Sequence, residues 1–390
     1  MNYYTHFSPA NYLKNFSNTT TAVKERLLSK PLNFHGREAV VETVAITFQI
    51  TFQQVQKQSP PAISLLKIIA CVDHRGIPHE LLARGGLDDE IILGEALSKL
   101  INLSFLTARD VRTYDMHSLV HLSLQEFLSP HDMATSVKCT AEALAAILPS
   151  GNVKNWPVWK VYFPHAFSLA RNVKEESKST LSIYDLMFFY LMGIGNYKEA
   201  ENQSRRSARE GKILFGKDHS DTLTSMGNLA SACRRQGRWK EAEELEVKVL
   251  ETRKRVLGQE HQDTLLTMGN LAWTYWDQGR WKEAEELQVE VLEARKKVLV
   301  PEHPSTLSAM GDLASTYRAQ GRLEDAEALG VKVLETRKKV LGQEHPDTLR
   351  VMGNLALTYR DQGRWEDAEG LEMEEIETRK RVLACSDSSK

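Results

Sequence analysis

The chain reads as a mostly α-helical protein in which a small domain of helices and one hairpin precedes a solenoid of stacked helix pairs. Three observations predict this. Four passages repeat with a period of 42 residues, opening at His219, His261, His303 and His345. Each passage splits at a glycine into two amphipathic stretches. The residues up to about 130 do not repeat. The last unit spells the pattern: His345-Pro346-Asp347-Thr348-Leu349, then Gly353-Asn354-Leu355-Ala356, Tyr359, Gly363-Arg364-Trp365 and Ala368-Glu369. One period earlier the string recurs with Asp312 for the asparagine and Leu323 for the tryptophan. Tandem repetition of this kind builds a stack of like units, each covering its neighbour's apolar face.

The elements follow in order. Residues 1–57 are expected to form a helical lead-in. Pro60-Pro61 then starts an apolar helix over 62–72, and Gly76-Ile77-Pro78 turns into a helix over 79–83. A third helix carries Ile91, Leu93, Ala96, Leu97, Leu100 and Ile101 on a helical spacing. Two alternating runs, 104–107 and 111–115, flank Ala108-Arg109-Asp110 as a hairpin. A helix over 118–128 follows. Three helices and a hairpin make residues 58–130 a winged-helix-like domain. Residues 131–176 are expected as connecting helices and 177–390 as five repeats.

Within a repeat, Leu223, Met226, Leu229, Ala230 and Cys233 share one face of a first helix. Gln236-Gly237 ends it, since glycine takes the left-handed conformation that terminates helices. A second helix from Trp239 is expected to bury Ala242, Leu245, Val249 and Val256, with Gly258 closing it. Gly342 and Gly216 sit at the same place in their units, and Val300 breaks the series. Pro304 and Pro346 fall in a first helical turn, where proline is tolerated. A weaker unit, Gly195-Asn196-Tyr197 and Ala200-Glu201, lies 42 residues ahead of Gly237-Arg238-Trp239 and Ala242-Glu243, which brings the count to five.

Composition narrows the function classes. Fifty basic residues against 52 acidic ones, with a pI near 6.7, single out neither nucleic acid nor a membrane surface as partner. The four cysteines show no CxxC spacing, which argues for free thiols in a reducing compartment and against a zinc site. The start shows no basic-then-apolar signal pattern, and the longest apolar run, 63–72, is broken by Lys67. The expected location is cytoplasmic. Four histidines on separate joints cannot converge on one metal ion. No nucleophile–base arrangement stands out, so the expectation is no catalytic residue, no cofactor and no metal.

The repeat resembles the tetratricopeptide family, whose pattern places a small residue and a tyrosine on the first helix, a glycine turn, then an alanine on the second. Here these are Ala272, Tyr275, Gly279 and Ala284 and their equivalents. The resemblance implies a right-handed tetratricopeptide α-solenoid. The long period and the Leu-Gly-x-Glu-His-Pro-Asp-Thr-Leu joint resemble kinesin light chains and their fungal relatives. One departure is the aromatic that usually follows the alanine by four residues. Glu246, Gln288, Gly330 and Glu372 stand there, and looser packing is expected.

The first part resembles the end of the nucleotide-switch module of NLR-type STAND proteins. The residues that carry this are Ala39-Val40-Val41-Glu42-Thr43, Ile46 to Phe52, Leu65-Leu66-Lys67-Ile68-Ile69-Ala70-Cys71 and Tyr114-Asp115-Met116-His117-Ser118. The family's Met-His-Asp histidine touches a nucleotide phosphate, and His117 matches it, with Ser118 in the third place. The family's phosphate loop would lie ahead of this region, and none is expected in the residues given. The string Gly211 to Lys217 fits its letters, but no strand precedes it and Gly216 falls on the helix-ending glycines.

Candidate partner-binding residues lie on the first helices. Asn228, Asn270, Asp312 and Asn354 share one place, about 160° around the helix from the apolar stripe at ~100° per residue. The resemblance puts that place in a concave groove, where an amide offers donor and acceptor to an extended peptide. Trp273 and Leu357 stand where other units have Ser231 and Ser315. Arg234, Arg318 and Arg360, with Trp276 between, flank the same face. Basic triplets such as Arg253-Lys254-Arg255 suit helix C-termini and read as structural.

The expected function is a non-enzymatic adaptor that holds a protein or peptide in the solenoid groove, in an NLR-like signalling setting. Self-association through the last repeat is a second expected contact. A kinesin-light-chain-like cargo adaptor, an ADP-binding regulator acting through His117 and a DNA-binding winged helix are the competing readings. The last is weakest, since the helix over 118–128 has no Lys or Arg.

Overall fold

The computed structural model describes residues 38–87, 89–149, 155–174 and 176–387. The lead-in ahead of residue 38, and the side chains of Ala39 to Ile46, lie outside what is described. The chain forms two compact units, Met1–Asn196 and Tyr197–Lys390.

In the first unit, α1 (Glu38–Gln58) and α2 (Pro60–Ile69) lead to the two-residue strand β1 (Ile77–Pro78). Then come α3 (His79–Gly86), α4 (Glu90–Asn102), β2 (Leu106–Ala108), β3 (Thr113–Met116) and α5 (Ser118–Phe127). Pro60 and Pro61 occupy the first turn of α2, and the Asp89 side chain caps α4 by accepting from the Ile91 and Ile92 amides. Phe52, Leu65, Leu66, Leu93, Leu100, Phe105, Leu106 and Leu124 meet in one buried core.

The hairpin is present, and β1 adds to it a third strand, with β3 central and antiparallel to both neighbours. Two residues carry no alternation, so this strand was not visible in the pattern. It extends the hairpin to a three-stranded sheet. Helix α4 stands directly before the hairpin. Its exposed residues include Glu90, Ile91, Glu95 and Asn102, a face without the basic character that DNA demands.

Helices α6 (Pro130–Ile147), α7 (Trp156–Asn172) and α8 (Lys178–Gly193) complete this unit, and α6 and α7 pack on the turn between α2 and β1 as well as linking onward. Lys67 meets Asp132 at 2.5 Å, and the Asn172 amide donates to the Cys71 carbonyl at 3.3 Å. Two buried histidines hold the same turn. The His121 Nε2 lies 2.9 Å from the Ile69 carbonyl and the His165 Nε2 3.1 Å from that of Gly76. Burial pushes both imidazoles below their ordinary 6.5.

The second unit is nine described helices: α9 (Tyr197–Leu214), α10 (Ser220–Arg235), α11 (Trp239–Leu257), α12 (Gln262–Asp277), α13 (Trp281–Val298), α14 (Pro304–Ala319), α15 (Leu323–Leu341), α16 (Pro346–Asp361) and α17 (Trp365–Asp387). Each packs chiefly on the next, as in a solenoid. The repeated histidines are the N-caps of α10, α12, α14 and α16. Each Nδ1 accepts the backbone N–H two residues on, at 3.1–3.2 Å. Gly237, Gly279, Gly321 and Gly363 turn between helices at φ of 76–80°, a region costly for a side chain.

Val256 departs from its expected place. It is 48% exposed, and its equivalents Val298 and Val340 are exposed too. The buried residue near the end of α11 is instead Arg253, the first of the basic triplet. Its guanidinium reaches the Asp263 carbonyl at 3.1 Å, Thr267 Oγ1 at 2.8 Å and Thr224 Oγ1 at 2.9 Å. Arg337 does the same between the Asp347 carbonyl and Ser308, both at 3.0 Å. These arginines therefore bolt three helices together.

A second device repeats at every junction. Glu201, Glu243, Glu285 and Glu327 each accept from a Gln and an Arg of the following unit, 35 and 37 residues on, at 2.7–3.1 Å. Arg280, Arg322 and Arg364 also lie over the rings of Tyr275, Tyr317 and Tyr359, 3.9–4.2 Å from their centroids. The Glu201 carboxyl is held well below its ordinary range: burial opposes the charge, but the hydrogen bonds of Arg238, Arg205, Gln236 and Lys198 outweigh it.

Two outcomes are expected. Arg337→Ala removes a buried ion that satisfies a carbonyl and a hydroxyl, and should lower unfolding stability by about 2–3 kcal/mol. Arg379→Ala, at the exposed equivalent paired with Glu375 on its own helix, should change it little in the same urea titration. The first unit should lose stability as pH falls through 6.5, because its two buried imidazoles stay neutral in the fold while those of the unfolded chain take up protons. His165→Gln, which keeps a donor for the Gly76 carbonyl, should reduce that loss in thermal melts between about pH 7 and about pH 5.

Candidate partner-binding face

Helices α10, α12, α14 and α16 bring equivalent positions of four repeats into rows. One row is glycine throughout: Gly227, Gly269, Gly311 and Gly353. Each is interior to its helix, where glycine costs about 1 kcal/mol against alanine. Space is open within 4 Å of a Cβ at the first three; at Gly353 the Glu375 carboxylate lies 3.2 Å away. The row therefore leaves bare backbone along this face.

The adjacent row holds the predicted amides. Asn228 and Asn270 are half-buried and Asn354 is exposed. Asp312, also half-buried, is tied into its surroundings. Burial raises its pKa, while Arg350, Arg295, Arg337 and the hydrogen bond with Trp273 oppose the rise. Trp273 is thus a neighbour of Asp312 and stands edge-on to Trp276, with ring centroids 5.6 Å apart. Leu357 is 39% exposed.

The predicted arginines join successive repeats. Arg234 meets Asp277 at 2.9 Å and Arg318 meets Asp361 at 3.2 Å, each 43 residues on. Between them the cation is replaced by Trp276 and the place of the acid is taken by Ala319, so both members of the pair change together. Arg360 turns to Glu372 at 2.7 Å.

His117 is exposed, and its Nδ1 accepts from the Leu119 amide at 3.2 Å. It caps α5 in the way the repeat histidines cap theirs. The string from Gly211 to Lys217 runs from the interior of α9 into a turn, where Gly216 has φ of 95°, so a helix and not a strand leads into it. No group of three or more His, Cys, Asp or Glu side chains placed to hold a metal occurs among the described residues. No described helix is long and apolar enough to cross a membrane.

Sequence reasoning noted one row without seeing its importance: the place four residues after the alanine of each second helix. Glu246 there is 1% exposed and Gln288 3%. Packing is close around both, and polar. Glu246 accepts from Thr274 Oγ1 at 2.6 Å, and its other oxygen has no partner among the described residues. Burial pushes its carboxyl up to about 7 against the opposing pulls of Thr274 and Arg234. Both amide atoms of Gln288 also lack partners. At the third junction the residue is Gly330, and a notch opens beside it. Gly in the third unit was the available signal.

Models of the tetratricopeptide repeat match residues 247–297, 263–339 and 305–381, and a second such model matches 222–263. Residues 222–381 are thus tetratricopeptide repeats. A nucleotide-binding leucine-rich repeat (NLR)-like protein of Hyaloscypha variabilis is 36% identical over 225 residues, which are 56% of this chain and 22% of that protein. The chain therefore spans about a fifth of this relative. A crystal structure from Podosopora anserina, described as a kinesin light chain with nearly identical TPR-like repeats, is 28% identical. It covers 54% of this chain and 99% of its own, at a TM-score of 0.46. BtubC (BKLC) of P. vanneervenii is 16% identical over 63% of this chain and 92% of its own, also at 0.46.

Glu246 carries a measurable consequence. A carboxyl whose pKa is raised by folding stabilises the fold only while it keeps its proton. Its contribution is complete below the ordinary 4.5 and is lost as pH rises through about 7. Glu246→Gln should therefore gain stability over the wild type between about pH 5 and about pH 8, by up to about 3 kcal/mol. Urea midpoints of the two proteins at both ends of that range test this, and an unchanged difference would remove the role assigned to the carboxyl.

Proposed function

Starting from tetratricopeptide repeats over residues 222–381, we propose that this chain is a non-enzymatic adaptor that holds an extended protein or peptide segment along the face of its first helices. In an NLR-like setting the repeats supply the recognition surface, and the cytoplasm is the expected compartment. The relative from Hyaloscypha variabilis supports this setting.

The observation that carries the reading is the glycine row beside the amide row. Four helices each bear an interior glycine at the same place, and three have open space in front of it. Bare helix backbone at a surface lets another backbone approach closely. The next residue supplies an amide with both donor and acceptor at Asn228, Asn270 and Asn354. This combination suits a ligand read through its main chain, while Trp273 and Leu357 offer apolar contact to its side chains. The concave groove of the family would place these rows on one surface.

A displayed library of random twelve-residue peptides, panned on the purified chain, tests this. Peptides enriched on the wild type should bind an Asn228→Ala, Asn270→Ala, Asn354→Ala variant at least tenfold more weakly by calorimetry, since each lost hydrogen bond is worth about 1 kcal/mol. The variant should match the wild type in thermal melting. Absence of any enrichment, or equal binding by both proteins, would sink the groove reading.

A further inference from the structure

Helix α17 bears a stripe of exposed residues on the side turned away from its own repeat. Ala368 and Thr378 are buried against the fold. About 150° round the helix from them, at ~100° per residue, stand Glu369, Met373, Ile376 and Lys380, all exposed. Ile376 is 51% exposed and Met373 56%. At the place of Ile376 the earlier second helices have Leu250, Leu292 and Leu334, which are 5–8% exposed inside the core shared by successive repeats. Glu369 continues the clamp series of Glu201, Glu243, Glu285 and Glu327. The acids beside the stripe are paired within the copy: Glu372 with Arg360, Glu374 with Lys338 and Glu375 with Arg379. No described residue pairs with Glu369 or Lys380.

The stripe is its own complement. Its spacings of four, three and four residues are those of the seam between two packed helices. Lay two copies of α17 antiparallel about a two-fold axis level with Glu374 and Glu375. Met373 of each copy then meets Ile376 of the other, and Glu369 of each meets Lys380 of the other. Apolar contact fills the centre, and opposite charges close both ends. A parallel alignment would instead set Glu369 on Glu369 and Lys380 on Lys380. A two-fold interface demands a surface that fits itself, and an acid at one end of a stripe with a base at the other supplies it.

The arginine of this helix also favours a second copy over a further repeat stacked as the earlier ones are. Arg253, Arg295 and Arg337 each reach a carbonyl of the following first helix, ten residues on. The equivalent Arg379 turns back to Glu375, one turn earlier on its own helix, at 2.8 Å. Glu375 stands where the earlier second helices have Val249, Val291 and Val333. The bolt that reaches onward at the other junctions is thus neutralised within α17.

We propose that α17 is a self-association surface, through which two copies of this chain pair antiparallel by Glu369, Met373, Ile376 and Lys380. The inference goes beyond the adaptor reading and does not depend on it, since the stripe lies on a second helix and the ligand rows on first helices. A pair so formed carries two sets of those rows, and a ligand with two recognition segments is held at both. Two apolar side chains per copy make a small interface, so the association is reversible, with a dissociation constant of about 10–100 μM.

Sedimentation velocity of the whole chain tests this, over about 1–300 μM and in about 50 mM salt to limit screening. The weight-average mass should rise from one chain to two. Ile376→Glu and Met373→Glu, both at exposed places, should keep the wild-type melting curve and stay monomeric throughout. Either one suffices if the other melts early. Glu369→Lys and Lys380→Glu should each weaken association at least tenfold, because each sets like charges together at both ends of the stripe. Mixed one to one, these two variants should associate with each other, because every end then joins unlike charges again. A wild type that stays monomeric, growth beyond two chains, association unchanged in a folded Ile376→Glu or Met373→Glu variant, or failure of the mixed charge variants to associate would each overturn the proposal.

Discussion

Everything in the second unit depends on one carboxylate per repeat. Glu201, Glu243, Glu285 and Glu327 each take a Gln and an Arg from the next repeat, and the Arg in three of those pairs is itself held over a tyrosine ring. An isolated exposed ion pair contributes little. Here the carboxylate is shielded, doubly bonded and repeated at a fixed spacing. The register of every helix pair is thereby set by the one before it. The buried arginines 253 and 337 reinforce the same junctions from the opposite ends of the second helices.

With register fixed at the turns, the residues facing the gap between repeats are free to vary, and they do. The gap holds a carboxyl at one junction, an amide at the next and a notch at the third. The outer face varies in step, with Arg234 and Asp277 giving way to Trp276 and Ala319 one repeat on. A repeated frame thus presents a surface that is not repeated, which is what discrimination between ligands requires.

The frame was legible in the sequence because it is periodic. Helix ends, turn glycines and the buried alanines of the second helices all follow from residues that recur. The clamps were present in the same strings, as Gln-Gly-Arg and Ala-Glu, but 35 and 37 residues separate the partners, and spacing alone does not pair them. Val256 was misplaced because a valine at helical spacing looks buried until a long arginine beside it takes the interior. The strand β1 escaped because two residues give no alternation. Arg234 and Arg318 stood out as candidate contacts for a partner because the acids they meet sit one whole repeat away. What the predicted rows contact lay beyond the sequence for a plainer reason: half-burial of Asn228 or exposure of Asn354 depends on the neighbouring helix.

The choice of histidine as the cap at four joints has a consequence of its own. Serine or aspartate accepts a hydrogen bond at a helix start under nearly all conditions. Imidazole does so only through a bare Nδ1, which requires the neutral ring with its proton on Nε2. His117 places the first unit's α5 under the same condition. The joints of this solenoid therefore share one chemical requirement, the same tautomer of the same ring at every one of these helix starts, so a substitution that keeps the ring's size but not its Nδ1 lone pair removes the same bond wherever it is made.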